Sequence, residues 1–350
     1  MGQILKPNWS DLHARLHRLL KVRPLLPPGT SLLVAVSGGQ DSVVLLKLLV
    51  DLQPKWGWQL QAVHCDHCWR EDSTENAQFV RQLCLDWDIS CEIIAAESPP
   101  GTEAEARQWR YQVFEQLALE KQSTRTATGH TATDRAETLL YNLVRGSGTD
   151  GLQALGWERP LSATSPQIKV VRPLLDWTRQ DTAEFCRQFE LPIWEDSTNQ
   201  DTRYARNRIR LEVMPQLKQH FNPGAESTLA QTAELLTADV DLLEQLAQEL
   251  YDVVVQAPTK STSWRIQRQG LKQAHLALQR RVMRRLLQQL IPAQVNFEAV
   301  EKLVGLIDAP NRTRTDPFAG GLVGVVDNDW IIFYQNNSPS YGNDIHPPNG

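Results

Sequence analysis

Short apolar segments alternate with longer amphipathic segments through the first part of this 350-residue chain. The apolar segments read as strands at residues 31–36, 59–64, 90–95 and 124–129. The amphipathic segments read as helices at residues 42–53, 73–87, 103–120 and 132–145. This alternation predicts an α/β fold with a Rossmann-like parallel sheet flanked by helices. Ligands of such sheets bind at the carboxyl ends of the strands, so the loops there are the candidate site.

The first of these loops is Ser37-Gly38-Gly39-Gln40-Asp41-Ser42, between a predicted strand and a predicted helix. Glycines without a Cβ let the backbone approach an anion, and the helix N-terminus adds the positive end of its dipole. The carboxylate of Asp41 beside phosphates indicates a cation such as Mg²⁺ between them. Neither G-x-x-x-x-G-K-[ST] nor a G-x-G-x-x-G after a strand occurs. The loop resembles S-G-G-x-D-S, the pyrophosphate loop of ATP pyrophosphatases, which implies that ATP adenylates a substrate.

The second loop is His64-Cys65-Asp66-His67-Cys68, which invites a metal-site interpretation. A structural zinc site needs four closed ligands, commonly from two separated knuckles, and the other cysteines of the chain are isolated. We therefore favour the alternative that His64 and Asp66 line the nucleotide pocket, with Cys65 and Cys68 as small packed side chains.

A predicted helix after the third strand carries Arg107 and Arg110 on one face. Guanidinium groups suit phosphate oxygens and the charge that develops during adenylation. A solvated pair bridged to Glu103 or Glu105 is the alternative.

The third loop begins the next helix with His130, Asp134 and Glu137, and the two carboxylates share a helical face. Carboxylates beside a nucleotide site can bind an ammonium group and help to remove its proton. A lysine amine has a pKa of about 10.4, so it is protonated at neutral pH and must lose that proton before it can attack. Helix capping is the alternative role for these residues.

The net charge of −5 hides a strong segregation of charge along the chain. Residues 226–252 contain seven acidic side chains and no Lys or Arg, whereas residues 261–297 contain seven basic side chains and no Asp or Glu. Arg203, Arg206, Arg208 and Arg210 form an earlier basic cluster, and Arg206, Asn207 and Arg210 share one side of the predicted helix there. Local potential steers a polyanion, so these segments favour a nucleic-acid partner despite the net charge.

The domain organisation follows from breaks in these patterns. Asn222-Pro223-Gly224 ends a helical segment just before the acidic one, which predicts a catalytic domain over residues 1–222. A smaller accessory domain that begins with a helix and binds tRNA is predicted over residues 223–335, and residues 336–350 are predicted to be a disordered polar tail. The Gly, Pro, Ser and Thr residues between Gly156 and Pro166 predict a mobile loop. An odd number of cysteines and the lack of a long apolar segment predict reduced thiols, a cytoplasmic location and no membrane partner.

Seven motifs in this order resemble the tRNA(Ile)-lysidine synthetase family, over about Ser31 to Leu217: S-G-G-Q-D-S, H-C-D-H, E-A-R-Q-W-R-Y, T-G-H-T-A-T-D-R-A-E-T, R-G-S-G-T-D-G-L, R-P-L-L and E-D-S-T-N-Q-D-T-R-Y-A-R-N-R-I-R. The resemblance implies a ligase that adenylates C2 of the wobble cytidine in a CAU anticodon with ATP and then joins L-lysine to it. AMP and pyrophosphate are released, and the codon read changes from AUG to AUA while the tRNA identity changes from Met to Ile.

The same resemblance implies roles for individual residues. It makes Ser37 to Ser42 the ATP loop, with Asp41 near Mg²⁺, and puts Arg107 at ATP or the adenylated base. It groups His130, Asp134 and Glu137 around the lysine and the reacting base, and puts Arg206 and Arg208 on the side that faces the tRNA. The cysteines of H-C-D-H depart from the family pattern.

Two alternatives stay open at this point. A tRNA thiolase of the same class would use Cys65 and Cys68 for sulfur or a cluster, and a non-catalytic tRNA-binding protein could keep the fold. The sequence does not fix the oligomeric state, so a homodimer also remains open.

Overall fold

The computed structural model describes residues 9–195, 201–259, 263–291 and 295–335. The chain divides into two compact units, one that ends at Thr237 and one that begins at Ala238. This division lies inside a long helix, and the predicted boundary at residues 222–224 lies in the turn before that helix. The predicted polar tail, residues 336–350, lies outside the described residues.

The first unit is built on a six-stranded sheet with the order β3-β2-β1-β4-β6-β5. Its strands are β1 (Ser31–Ala35), β2 (Gln59–Asp66), β3 (Ser90–Ala95), β4 (Arg125–Ala127), β5 (Glu158–Pro160) and β6 (Lys169–Val171). The first four and β6 pair in parallel, and β5 is an antiparallel edge strand. The parallel α/β fold predicted from the sequence is confirmed.

Helices cover this sheet, because each crossover between parallel strands needs one. They are α1 (Asp11–Val22), α2 (Gln40–Trp56), α3 (Ser73–Asp86), α4 (Glu103–Glu120), α5 (Ala132–Val144), α6 (Thr149–Leu152), α7 (Arg179–Gln188), α8 (Ala205–Arg208) and α9 (Met214–His220). A π-helical turn, Ile209–Val213, joins α8 to α9. The long helix α10 (Ala225–Val254) follows.

Capping side chains fix where several helices begin. Thr131 and Thr178 each accept a hydrogen bond from the backbone three residues on, while Asp134 and Asp181 bond back to the cap residue. This reciprocal pair of hydrogen bonds is a capping box, and it provides acceptors for N–H groups that the first helical turn leaves unpaired. They place α5 and α7 at the same edge of the sheet as the loop after β1, since Ala132 N donates to Trp177 O at 2.6 Å.

Two features of this unit differ from the sequence prediction. The segment predicted as a loop between Gly156 and Pro166 contains the edge strand β5, whose Glu158 lies opposite Val171. Pairing with an existing strand supplies hydrogen-bond partners that local sequence does not reveal. The N-terminal helix α1 was also not predicted, and its Leu16 and Leu20 are buried in the main core.

The second unit has a core of its own between helices and a small antiparallel sheet. Its sheet has the order β7-β8-β10-β9, from Val255–Gln256, Arg265–Gln267, Leu322–Asp327 (β9) and Trp330–Gln335 (β10). Its further helices are α11 (Arg268–Gln273), α12 (Leu276–Leu290) and α13 (Phe297–Gly305). Among the described helices of the whole chain, none combines the length and the apolar character that crossing a membrane requires.

Candidate active site

The loop after β1 has the conformation of an anion cradle. Gly38 adopts a φ of +89°, and a Cβ there would lie 2.7 Å from Asn76 Oδ1. Helix α2 begins directly after Gly39, which has no side-chain cap, so the N–H groups of its first turn are left for another acceptor. Ser42 Oγ donates to Gly39 O at 2.9 Å and accepts from Ser37 N at 3.2 Å, which holds the loop closed on itself.

A cavity of about 350 Å³ opens over this loop at the carboxyl ends of β1, β2 and β4. Helices α4, α5 and α7 and the π-helical turn contribute to its walls. The predicted site residues that line it are Ser37, Gly39, Gln40, Asp41, Ser42, Arg107, His130 and Asp134. The structure therefore brings together residues of the loop after β1, of α4 and of the start of α5, and the most distant of them, Ser37 and Asp134, are 97 positions apart in sequence.

Asp41 is a mostly buried carboxylate held by α7. Thr182 Oγ1 donates to its Oδ1 at 2.5 Å, and Arg179 Nε lies 3.9 Å from its Oδ2. Burial and the neighbouring carboxylate of Asp134 raise the pKa of Asp41 to about 6, against the smaller effects of Thr182 and Arg179. The two carboxylates repel each other when both are ionised, and a cation bound in the cavity would reduce this repulsion.

Gln40 and Thr182 show a contribution of α7 to the site that sequence reasoning missed. Gln40 Nε2 donates to Arg179 O at 2.8 Å and to Thr182 Oγ1 at 2.7 Å, so its amide ties the loop to α7. The hydroxyl of Thr182 lies 141 positions from the carboxylate that it contacts. No local signal in the sequence marks such a contact.

Asp134 and Glu137 are bound by arginines of the following basic segment. Arg206 Nη2 donates to Asp134 Oδ1 at 2.8 Å, and Arg206 Nε to Glu137 Oε2 at 3.2 Å. Arg210 donates to both oxygens of Glu137, at 2.7 and 2.9 Å. Glu137 is fully buried and does not line the cavity, whereas Asp134 does.

The electrostatic states of His130 and Asp134 are set by this environment. Burial lowers the pKa of His130, and the guanidinium groups of Arg172 and Arg206 act in the same direction, so the imidazole is neutral at pH 7. Its Nδ1 lies 2.9 Å from Thr128 Oγ1. Burial acts to raise the pKa of Asp134, but Arg206 and its other partners hold it below its usual value.

Arg208 lies apart from the cavity. It is exposed and its Nη1 donates to Thr202 O at 3.1 Å. Arg210 occupies the cavity wall instead, because residues four apart share a helical face and residues two apart do not. Arg206 and Arg210 therefore pair with the carboxylates of α5, and the place of Arg208 on the side that faces the tRNA stays a prediction.

His64 and Asp66 lie outside the cavity lining, and the expectation that they line it is corrected. His64 is buried with its Nδ1 2.8 Å from Val36 O, and Asp66 Oδ1 accepts from Cys68 N at 2.8 Å. Side chains alternate along a strand, so Val63 and Cys65 of β2 face the cavity. Burial raises the pKa of Cys65 to about 12, which leaves it an unreactive thiol.

The comparisons with known proteins agree with this geometry. A family model described as a PP-loop domain matches residues 10–217. A tRNA(Ile)-lysidine synthase of Nostoc sp. (strain PCC 7120) is 53% identical over 93% of this chain and 97% of the relative. Another tRNA(Ile)-lysidine synthase, from Thermosynechococcus vestitus, is 47% identical over 92% of both chains. The solved U34-tRNA thiolase NcsA of Methanococcus maripaludis covers 65% of this chain and 78% of its own with a TM-score of 0.54; at 17% identity it shows likeness of fold.

A parallel sheet with a glycine-rich anion loop after its first strand, matched by the PP-loop model, defines an ATP-utilising PP-loop enzyme. Within that class the degree of identity is decisive. The chain belongs to the tRNA(Ile)-lysidine synthase family, and it is therefore a ligase that forms a carbon–nitrogen bond.

Proposed function

We propose that this enzyme joins L-lysine to C2 of the wobble cytidine of tRNA(Ile) with a CAU anticodon, using ATP through an adenylated cytidine. The observation that carries the proposal is one cavity that holds an anion loop, a neutral imidazole and an ionised carboxylate in a chain of this family. The product reads AUA in place of AUG and accepts Ile in place of Met.

ATP occupies the loop end of the cavity in this proposal. The N–H groups at the start of α2 and the flexible backbone of Gly38 and Gly39 bind the phosphates. Asp41 is the residue that holds Mg²⁺, since one carboxylate together with substrate phosphates is a common magnesium environment. When bound there, Mg²⁺ neutralises phosphate charge. The cytidine oxygen attacks the α-phosphate, a P–O bond to it forms, and pyrophosphate leaves.

Lysine binds at the other end of the cavity. Asp134 is ionised and lines the cavity, so it binds the ε-ammonium group. His130 is neutral and accepts the proton that this nitrogen loses as it attacks C2 and AMP departs. Glu137 is a positioning residue, because it is fully buried and does not line the cavity, whereas Asp134 does.

The decisive assay supplies α-labelled ATP, labelled lysine and unmodified tRNA with a CAU anticodon. We expect AMP and pyrophosphate to appear in a tRNA-dependent manner, with lysine label in the tRNA. Formation of ADP instead of AMP contradicts an adenylated intermediate.

Variants at the lysine end separate the two chemical steps. We expect His130→Ala to form AMP-tRNA and pyrophosphate but to lose about 100-fold in lysine transfer, since general-base catalysis contributes about this much. A variant that loses both steps equally contradicts the assignment of His130 to the second step.

The thiolase alternative is tested at the cysteines. Among the described residues, no three His, Cys, Asp or Glu side chains are grouped as a metal site requires. Cys65→Ser combined with Cys68→Ser is expected to keep lysidine formation. Loss of activity together with loss of bound iron from the purified protein supports the thiolase.

A further inference from the structure

Four arginines cluster around Tyr111, and two of them, Arg107 and Arg110, line the cavity. The guanidinium of Arg107 lies 5.2 Å from the centre of the Tyr111 ring, and that of Arg159 lies 4.5 Å from it. Arg110 lines the cavity beside them, and Arg172 is buried next to Tyr111. These residues come from α4, from β5 and from the residue after β6, so the fold and not the local sequence groups them.

Arg107, Arg110, Arg159 and Arg172 together form an arginine wall beside the cavity. Across the described residues, no carboxylate lies within ion-pair distance of any of the four guanidinium groups. Burial lowers the pKa of Arg172, and Arg159 and Arg107 act in the same direction, while the hydroxyl of Tyr111 opposes them. Several cations left uncompensated at a cavity wall are unfavourable unless an anion binds there.

The opposite side of the cavity differs in this respect. Arg206 and Arg210, which sequence reasoning favoured as an RNA contact, are neutralised by Asp134 and Glu137. The positive charges of these two arginines are therefore balanced by carboxylates of the protein itself. The uncompensated positive charge of this site therefore lies on α4 and β5.

The four arginines differ in depth. Arg172 is 1% exposed, Arg110 and Arg159 are half-buried, and Arg107 is exposed. The charge thus extends from the interior to the surface. A row of positive charge of this kind suits an extended polyanion. The triphosphate of ATP already has a binding place in the proposed function, at the loop where α2 begins.

Aromatic side chains continue this wall at the surface. His67 lies 5.3 Å from Trp69 and 5.0 Å from Trp109, measured between ring centres, and Trp69 is exposed. Arg110 lies close enough to His67 to lower the pKa of its imidazole, after the larger effect of burial. Aromatic rings beside guanidinium groups are typical of surfaces that bind unpaired nucleotides, whose bases stack while arginines contact the phosphates.

We propose that the arginine wall binds the backbone phosphates of the unpaired RNA strand next to the reacting nucleotide. This inference rests on the proposed function, which supplies a tRNA anticodon loop as the substrate. Arg159 and Arg107 contact phosphates at the mouth of the cavity, and Arg110 and Arg172 attract the strand inward. Tyr111 holds the two outer guanidinium groups in place.

The test measures binding of the anticodon stem-loop RNA with a CAU anticodon at several salt concentrations. We expect Arg159→Gln and Arg107→Gln each to weaken binding about tenfold near 0.1 M salt, and to reduce the slope of log Kd against log salt by about 0.7. Arg187→Gln on α7 is the matched control, since it removes one charge from an exposed arginine paired with Glu184. We expect that control to bind the RNA like the wild type.

A second measurement separates RNA from ATP as the source of the phosphate. We expect the KM for ATP of Arg159→Gln to stay within about twofold of the wild type, because the triphosphate lies elsewhere. A raised KM for ATP with unchanged RNA affinity overturns the inference in favour of ATP. If the wild type binds the stem-loop and both wall variants bind it equally well, this inference alone is wrong. If the wild type binds no stem-loop, the proposed function is wrong as well.

Discussion

Asp41 illustrates how a functional residue can destabilise the fold that contains it. Its carboxyl has a folded pKa of about 6, above the usual 3.8, because it is buried near Asp134. Below pH 3.8 the carboxyl is protonated in the folded and in the unfolded protein, so its burial does not lower the free energy of unfolding through charge. The cost of burying this carboxyl grows as the pH rises from about 3.8 to about 6, where the unfolded chain has released the proton and the folded protein retains it, and it is constant at higher pH.

Replacing Asp41 by Asn should therefore stabilise the protein without ligands while abolishing most turnover. At pH 7 we expect the free energy of unfolding to rise by about 1–3 kcal/mol, and at pH 4 by much less. Thermal denaturation at both pH values measures this. Equal stability of the variant and the wild type at pH 7 contradicts a raised pKa at this position.

The same pKa predicts a pH dependence of magnesium binding. A proton and Mg²⁺ compete for Asp41, so the apparent affinity for Mg²⁺ in the presence of ATP should fall about tenfold per pH unit below about 6. Titration of Mg²⁺ at pH 5 and pH 7.5 tests this. Affinity that is independent of pH in this range excludes Asp41 as the ligand.

Gly129 shows a second constraint at the level of a single residue. A Cβ at this position would lie 2.9 Å from the backbone of Asp41 and Ser42. Gly129→Ala should displace the start of α2 and raise the KM for ATP about tenfold or more, while Gly148→Ala, with open space around it, should change nothing. Equal kinetics of the two variants contradict this close approach.

At the level of elements, α5 and the segment from α8 to α9 are joined by buried charge. The π-helical turn Ile209–Val213 follows Arg206 and contains Arg210, so both side chains reach the carboxylates of α5. Such turns are frequent at functional sites because they re-aim side chains within a helix. Glu137 is the fully buried centre of this contact.

Glu137→Gln should loosen this segment, since it leaves two guanidinium groups without their shared counter-ion. We expect the free energy of unfolding to fall by about 2–4 kcal/mol and hydrogen exchange over residues 205–217 to become faster. The matched control is Glu184→Gln, which removes an exposed partner of Arg187 and should cost less than about 0.5 kcal/mol. Unchanged exchange in Glu137→Gln contradicts a positioning role.

For the whole molecule, part of the segregated charge of the sequence is paired within the second unit. Glu244 of α10 binds Arg281 and Arg285 of α12, and Glu301 of α13 binds Arg280. The acidic and basic segments therefore neutralise each other in part. Binding of tRNA by this unit stays a prediction, and it cannot be argued from the number of arginines.

Glu244→Gln tests this interpretation. Because the three groups are partly exposed, we expect the free energy of unfolding to fall by about 1 kcal/mol, with little change in catalysis at low tRNA concentration. Denaturant unfolding measures the first and the lysine assay the second. A variant as stable as the wild type shows that these ion pairs contribute nothing measurable.

The sequence by itself determined four parallel strands of the sheet, the helices that follow them, the anion loop and the family. Those depend on periodicity, turn residues and motifs, which act over a few neighbouring positions. The helix predicted at residues 103–120 coincides with α4, and the loop with Asp41 lies where predicted.

Contacts between distant residues were decided by the tertiary structure. It chose Cys65 over His64 as the cavity residue of β2, Arg206 and Arg210 as the partners of the α5 carboxylates, and Thr182 as the support of Asp41. It also determined which arginines are neutralised and which are left for a ligand. The physical reason is that pairing of charges depends on distances across the fold, and a linear sequence gives the charges without their partners.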